Sequence, residues 1–208
     1  GWTGNPPRTV LGEFRRRAKA VAAEERANGA AIVSRRVVRR AWSDERLSAL
    51  FLAPLYTGAF SVARRWRPGF VVTRDALYWV PLLLATMGLR VREAVQLHKD
   101  DIVRRHGVLA IAVRPGSGKR VKREASERFV PISDVLLALG FLEWMNDRRG
   151  EEGRFVFPEI MADLAVDANP SRRFGDRFAP LRKALGIADE EEDFYALRRT
   201  FATRLHLA

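Results

Sequence analysis

Apolar residues recur at helical spacing in the second half of the sequence and predict two amphipathic helices. They lie three or four residues apart, which places them on one face of a helix. Gly186 follows the first of these helices and is a typical helix stop. The apolar positions are Phe174, Phe178, Leu181 and Leu185 in the first helix, which Ser171 would cap, and Leu197, Phe201 and Leu205 as the inward stripe of the last.

The longest apolar run extends from Leu77 to Leu89 and predicts a buried helix that begins near Asp75. The run contains Pro81 and is shorter than the roughly 20 residues that a membrane-spanning helix needs. Gly88 interrupts it near its end, as a C-terminal helix stop does. We therefore expect a core helix and no association with a membrane.

Shorter helices are predicted from capping residues. Ser43 is a suitable N-cap for a helix that runs to about Leu52, and the two acidic residues after it are favoured by the positive N-terminal end of the helix dipole. A helix over residues 89–97 follows the core helix, and Asp134 caps another that runs to about Arg149.

Two short runs rich in β-branched residues predict a β-hairpin. They are Val108–Val113 and Phe129–Ile132, and the polar stretch between them forms a long basic tip. With the helices, this hairpin predicts a mainly α (α+β) fold with a small antiparallel sheet.

The first 41 residues differ from the rest and predict a separate arm. Residues 1–41 open with Gly and Pro and continue with an Ala- and Arg-rich helix from Leu11 to Ala27. Such a basic helix suits a DNA backbone, but a solvated helix face has the same pattern. We expect a basic helical arm or linker over residues 1–41 and a compact domain over residues 42–208.

The charge balance favours a phosphate-bearing partner. Lys and Arg total 37 against 25 Asp and Glu, a formal net charge of +12, and only five of the 37 are lysine, which leaves 32 arginines. The planar fork of arginine pairs with two phosphate oxygens at once. A GC-rich gene also enriches arginine, so the charge indicates nucleic acid without establishing it.

Several kinds of chemistry are excluded or disfavoured by composition. The sequence has no cysteine, which excludes disulfides, thiol catalysis and cysteine zinc sites and is compatible with a reducing cytosol. The histidines, His98, His106 and His206, lack metal-ligand spacing. We therefore expect no metal and no other cofactor. The sequence has no signal-peptide pattern, so we expect a cytoplasmic protein, although both ends look like the edges of a fragment.

The glycine-rich tip of the hairpin resembles a P-loop only in part. Gly116–Lys119 supplies the Gly-Lys step, but the pattern also needs glycine at position 113 and Ser or Thr at position 120. Val113 and Arg120 occupy those positions. The sequence therefore does not predict a nucleotide-binding loop.

Two arginine boxes are the main candidates for a functional site. In the first, Arg90 follows a Gly-Leu step at the start of a helix, where backbone N–H groups favour an anion. Glu93 lies one turn on and can brace Arg90. The second box, Tyr195–Thr203, carries Arg198 off the apolar stripe of the last helix. Taken alone, an Arg–Glu pair one turn apart is more often structural.

The boxes and the hairpin together resemble the tyrosine recombinases, the phage integrase family. The second box is similar to the family's His-x-x-Arg-His-Thr-Phe-Ala-Thr segment, with Tyr195 and Arg199 at the two histidine positions. In the hairpin, Lys122 precedes Ser126-Glu-Arg128 and an apolar-Pro-apolar strand, a spacing that selects Lys122 over Lys119. The resemblance covers about residues 42–208.

The resemblance implies a helical catalytic domain that clamps double-stranded DNA and cuts one strand through a 3′-phosphotyrosine, without metal or ATP, within a homotetramer. It implies that Arg90 and Arg198 hold the scissile phosphate and that Lys122 is the general acid toward the departing 5′ oxygen. Glu93 and Arg199 are supporting residues. The resemblance also implies a DNA-associated protein of a bacterium or phage. Tyr195 joins the catalytic set, although a phenol with a pKa of about 10 is a poor proton shuttle and a better hydrogen-bond donor.

The tyrosines depart from the family pattern, in which the nucleophile follows the second arginine. Tyr56, Tyr78 and Tyr195 all precede Arg198. We therefore expect the nucleophile to lie beyond Ala208 and this chain by itself to be inactive. The alternative is a non-catalytic DNA-binding protein with a degenerate integrase fold. A basic RNA-binding module is less favoured, because no RNP-like aromatic strand appears.

Overall fold

The computed structural model describes residues 40–116, 119, 127–147, 154–162, 169–188 and 194–207. These residues belong to one compact unit. The predicted helix from Leu11 to Ala27 and the predicted arm lie outside them, as do most of the hairpin tip and Lys122. The division between residues 41 and 42 therefore stays a prediction.

The described part of the chain is mainly helical with one small sheet, which confirms the predicted fold class. The helices are α1 (Asp44–Phe51), α2 (Pro54–Thr57), α3 (Ala76–Met87), α4 (Val91–Val95), α5 (Asp134–Ala138), α6 (Phe141–Asp147), α7 (Pro158–Met161), α8 (Pro170–Ala184) and α9 (Phe194–Leu207). The strands are β1 (Ile102–Arg105), β2 (Val108–Val113) and β3 (Arg128–Pro131), and a 3₁₀ turn at Lys99–Asp101 precedes β1.

Helix α3 is the centre of the core, as its apolar sequence predicts. Trp79, Leu83 and Leu84 have no exposed surface. The Asp75 side chain caps the helix by accepting hydrogen bonds from the N–H groups of its first turn. At the other end Gly88 has φ +63°, a left-handed conformation that favours glycine. α3 packs against α4, α5, α8 and α9, so it links the two arginine boxes.

The sheet contains one strand more than the predicted hairpin. Its order is β1-β2-β3, and both neighbours pair antiparallel. Strand β1 was not predicted, because this edge strand has two half-buried residues followed by two exposed arginines, a pattern without alternation. β2, by contrast, is buried over its last four residues, which is why its apolar run was recognisable.

Three predicted helix boundaries are wrong. The helix expected over residues 89–97 is the five-residue α4, and Arg90 is its N-cap rather than a residue within it. The helix expected from Asp134 to Arg149 is broken at Gly140, where φ is +77°, and its N-cap is Ser133. For α8 the N-cap is Asn169 rather than Ser171.

The apolar stripe of α9 is buried only in its first half. Leu197 has no exposed surface and Phe201 is half-buried, but Leu205 is 66% exposed. The prediction that Leu205 faces inward is therefore wrong for the described residues, because the core ends before the helix does. None of the helices described is long and apolar enough to cross a bilayer.

Candidate active site

Glu93 is the residue on which the first arginine box is built. Its Oε2 accepts a hydrogen bond from the backbone N–H of Arg90 at 2.8 Å, and its Oε1 accepts one from Nη1 of Arg90 at 2.6 Å. The first bond caps α4, because a glutamate at the third helical position reaches back to the N-cap. Local geometry therefore sets the direction in which the Arg90 side chain leaves the chain.

A second arginine reaches the same carboxylate from the sheet. Arg128 opens β3, opposite the last residue of β2. Its Nη1 lies 3.1 Å from Oε1 of Glu93 and its Nη2 lies 2.8 Å from Oε2. This end-on pairing, in which both terminal nitrogens of the guanidinium donate to the two carboxylate oxygens, is bidentate, and bidentate charge-assisted pairs are among the stronger hydrogen-bonded contacts in proteins.

Arg198 arrives from α9 and completes the cluster. Its Nη1 donates to the carbonyl oxygen of Gly88 at 2.5 Å and lies 3.8 Å from Oε2 of Glu93. The side chains of Arg90, Arg128 and Arg198 are 28%, 31% and 30% exposed, whereas that of Glu93 is 5% exposed. Three guanidinium groups thus surround one buried carboxylate and remain open to solvent; together they form the arginine cluster.

The Tyr195 side chain lies beside the cluster, and that of Arg199 is exposed. Tyr195 precedes Arg198 by nearly one turn of α9, is 42% exposed and lies close enough to Arg90 to contribute, after Glu93, to raising the pKa of that arginine. Arg199 follows Arg198 by one position, about 100° round the helix. The structure therefore brings Arg90, Glu93, Tyr195 and Arg198 together.

The electrostatics of the cluster favour an added anion. Burial raises the pKa of the Glu93 carboxyl, but hydrogen bonds from Arg128 and from the backbone and side chain of Arg90 hold that pKa below its ordinary value. The hydrogen bond to Glu93 raises the pKa of Arg90. Burial and then the charge of Arg90 lower the pKa of Arg198. A phosphate between Arg90 and Arg198 would relieve that repulsion.

The sequence profile of the phage integrase family matches residues 72–207, more than half of the 208 residues. The chain belongs to the phage integrase family.

Solved structures of the XerH site-specific recombinase have a similar fold. One, a post-cleavage complex bound to palindromic difH substrate, aligns with a TM-score of 0.53 and 18% identity over 81% of this chain and 42% of that chain. A pre-cleavage complex bound to difH aligns with a TM-score of 0.50 and 17% identity over 80% and 42%. This integrase chain thus spans less than half the length of those recombinases. The comparison with curated proteins finds no match.

The lysine assigned from the resemblance, Lys122, lies outside the described residues, whereas Lys119 lies within them. Lys119 Nζ lies 2.5 Å from Oδ2 of Asp101, and its side chain is 4% exposed. Arg114 also pairs with Asp101, through Nε at 3.2 Å from Oδ1. Lys119 therefore ties the segment that follows β2 to the 3₁₀ turn that precedes β1.

Arg128 is the residue that sequence reasoning did not assign. It stood within the Ser-x-Arg segment used to align the hairpin, but nothing local indicates its partner, which lies 35 residues away. A basic residue directly before an apolar strand is a weak signal, since most such residues are solvated.

Metal ligands are not grouped in the described ranges. Within them, no three His, Asp or Glu side chains come together as a metal-binding group. His98 is buried, and its ring packs edge-on against Phe155 at 4.7 Å between centroids.

Proposed function

We propose that this chain is the phosphate-binding part of a site-specific DNA recombinase. Arg90 and Arg198 hold the non-bridging oxygens of the scissile phosphate, and the Tyr195 hydroxyl donates a third hydrogen bond. The observation that carries the proposal is the convergence of Arg90 and Arg198, 108 positions apart in the sequence, on Glu93 at 2.6 and 3.8 Å. Fixed donors aimed at developing phosphate charge lower a barrier because they need no reorganisation.

The proposed reaction is attack of a tyrosine hydroxyl on the phosphorus: the tyrosine gives up its proton to solvent, the bond from phosphorus to the 5′ oxygen breaks, and a 3′-phosphotyrosine and a free 5′ hydroxyl result. Lys122 donates the proton that the departing 5′ oxygen takes up. Tyr56 and Tyr78 are unsuited as nucleophiles, because Tyr56 pairs its hydroxyl with the carbonyl of Tyr78 and Tyr78 is 4% exposed. We propose that the nucleophile is a tyrosine outside these 208 residues and that the active assembly on double-stranded DNA is a homotetramer.

The test is a nicked suicide substrate incubated with the full-length product of the gene. The expected result is a covalent protein–DNA adduct that survives denaturation. Arg90→Ala and Arg198→Ala should each lower adduct formation by about 100-fold or more, because each removes a phosphate donor. Arg177→Ala is the matched control, since Arg177 is exposed on α8 and the substitution removes the same charge.

Salt-sensitive DNA binding without an adduct in the wild type would contradict this proposal. That outcome would favour the second candidate, a non-catalytic DNA-binding protein. The observation behind the second candidate is that Tyr195 and Arg199 occupy both histidine positions of the family segment.

The role of Lys122 is tested with a substrate that has sulfur in place of the bridging 5′ oxygen. A thiolate leaves without protonation, so this substrate bypasses a general acid. Lys122→Ala should cleave the normal substrate slowly and the sulfur substrate at close to the wild-type rate. Lys119→Ala should not show that selective rescue, since Lys119 is paired with Asp101. Equal loss on both substrates for Lys122→Ala would overturn the assignment.

A further inference from the structure

The Glu93 carboxylate has no hydrogen-bonding capacity left in this arrangement. Two carboxylate oxygens offer about four acceptor positions. Arg90 Nη1 and Arg128 Nη1 occupy Oε1, and the Arg90 backbone N–H and Arg128 Nη2 occupy Oε2. Half of the capacity is therefore taken by Arg128.

Arg198 is left just outside this set of bonds. Its Nη1 is 3.8 Å from Oε2 of Glu93, beyond hydrogen-bond distance, and its bond goes to the neutral carbonyl of Gly88. A displacement of about 1 Å would tighten this long ion pair into a direct, hydrogen-bonded pair with the carboxylate. In such a pair the carboxylate would neutralise the positive charge of Arg198. The proposed phosphate clamp, Arg90 and Arg198, needs that charge to bind the phosphate.

We propose that Arg128 is a positioning residue of the clamp: it holds the Glu93 carboxylate so that Glu93 orients Arg90 without neutralising Arg198. The inference rests on the proposed function and assigns a third arginine to the same site. Arg128 acts through Glu93, because both of its terminal nitrogens donate to that carboxylate.

The first measurement is single-turnover cleavage of the suicide substrate by the full-length gene product. Arg128→Ala should slow cleavage by about 10- to 100-fold, since a misplacement of about 1 Å in a reacting site costs that much. The dissociation constant for DNA should change no more than in Arg104→Ala, a control on strand β1 of the same sheet, where the Arg104 head group donates to the carbonyl of Gly107.

A double mutant separates positioning from direct phosphate contact. If Arg128 works through Glu93, R128A/E93Q should cleave no more slowly than E93Q alone. If Arg128 touches the phosphate itself, the two losses should multiply, and the proposal is overturned. Arg128→Lys keeps the positive charge and serves as the conservative variant in case Arg128→Ala does not fold. Its cleavage rate should fall by about threefold or more, because one ammonium cannot reproduce the two-bond fork.

The pH profile is a readout that a merely structural role would not move. Cleavage should fall with falling pH as Glu93 takes up a proton and releases Arg90. Hydrogen bonding by Arg128 is one of the interactions that lower the pKa of Glu93, alongside Arg90, while Arg198 and Tyr195 face the same site from α9. In Arg128→Ala the acid limb of the curve of cleavage rate against pH should therefore move to higher pH. A limb at the wild-type pH would count against the proposal.

Binding of inorganic sulfate to the 208-residue chain is a test that does not depend on cleavage. Arg128→Ala should weaken sulfate binding severalfold, and R128A/E93Q should bind sulfate no more weakly than E93Q alone, because Arg128 then has no carboxylate to hold. A further loss in the double variant overturns the inference. If the wild type forms no adduct but sulfate binding by these variants changes as expected, only the proposed recombinase function is rejected.

Discussion

Arg198 donates a hydrogen bond from Nη1 to the carbonyl oxygen of Gly88 at 2.5 Å, across 110 residues of sequence. Gly88 ends α3 in a left-handed conformation, two residues before Arg90. The ring of Phe201, nearly one turn after Arg198, packs where a side chain at position 88 would have to lie. The last helix is therefore fastened to the turn that carries the first arginine, and the spacing of the two arginines depends on a glycine there.

We predict that Gly88→Ala destabilises the protein and separates the two arginine boxes. The left-handed backbone costs a non-glycine residue about 1–2 kcal/mol, and a Cβ would overlap the Phe201 ring as well. The two effects together should lower the free energy of unfolding, measured in urea, by more than about 2 kcal/mol. Sulfate binding should weaken as well.

Gly186→Ala is the control for that prediction. Gly186 has φ +68°, but a Cβ there meets nothing within 4 Å. Gly186→Ala should lower the free energy of unfolding only by the backbone cost of about 1 kcal/mol and should leave sulfate binding unchanged. Equal losses for the two variants would show that the contact with Phe201 is unimportant.

Thr200 ties the start of the described domain to the second box, and we predict that its hydroxyl is needed. Its Oγ1 accepts from the Trp42 N–H at 2.7 Å and donates to the Ala196 carbonyl at 2.9 Å, with 4% of the residue exposed. Thr200→Val leaves the Trp42 N–H without its acceptor, which should cost about 1–3 kcal/mol of unfolding free energy.

Thr203→Val, on an exposed position of the same helix, should cost less than about 0.5 kcal/mol in the same unfolding measurement. Thr200→Ser keeps the hydroxyl and should restore most of the loss. A neutral Thr200→Val would mean that the bond to Trp42 contributes nothing to stability.

The stability that Glu93 contributes should depend on pH. Its folded-state pKa lies below the ordinary 4.5, so the native state favours the ionised form. That contribution is present above about pH 4.5 and is lost as pH falls through the lower, folded-state pKa. Wild type and Glu93→Gln should therefore differ by about 1–3 kcal/mol near pH 7 and converge in acid.

Urea denaturation of both proteins between pH 7 and pH 3 makes that comparison. Glu143→Gln is a control, because Glu143 lies outside the arginine cluster on α6. A difference that stays constant down to pH 3 would show that the charge of Glu93 is not what the arginines stabilise.

Replacing Tyr195 should change the cleavage rate of the full-length gene product. Tyr195→Phe removes the hydroxyl beside Arg90 and should slow single-turnover cleavage by about tenfold, less than the loss of an arginine, because a neutral donor holds a phosphate oxygen less strongly than a charged one. Tyr195→His places at that position a group that exchanges protons near neutral pH and should equal or exceed the wild-type rate. If Phe cleaves as fast as Tyr, the hydroxyl takes no part in phosphate binding.

Elements with a strong local signal were predictable from the sequence. The core helix α3 has an uninterrupted apolar run with a capping aspartate and a terminal glycine, so both its burial and its ends follow from local chemistry. The pairing of Arg90 with Glu93 is equally local, since the two lie three residues apart. Only the helix geometry differed, with Arg90 before the first turn rather than inside it.

Features that depend on distant neighbours were not predictable. Strand β1 has no alternating pattern, and Leu205 is exposed although it continues the apolar stripe of α9. Where a core ends depends on which other elements reach it, and that information is spread over the whole chain.

The sequence by itself determined the helical periodicity, the surplus of arginine and the order of the boxes that led to the integrase family, because these are properties of neighbouring residues. The tertiary structure decided which arginines share one carboxylate. Arg128 and Arg198 reach Glu93 from a strand and a helix that lie far from it in the chain. A buried carboxylate must collect donors wherever the fold brings them within hydrogen-bond distance, and only the packing of α4, β3 and α9 specifies which donors those are.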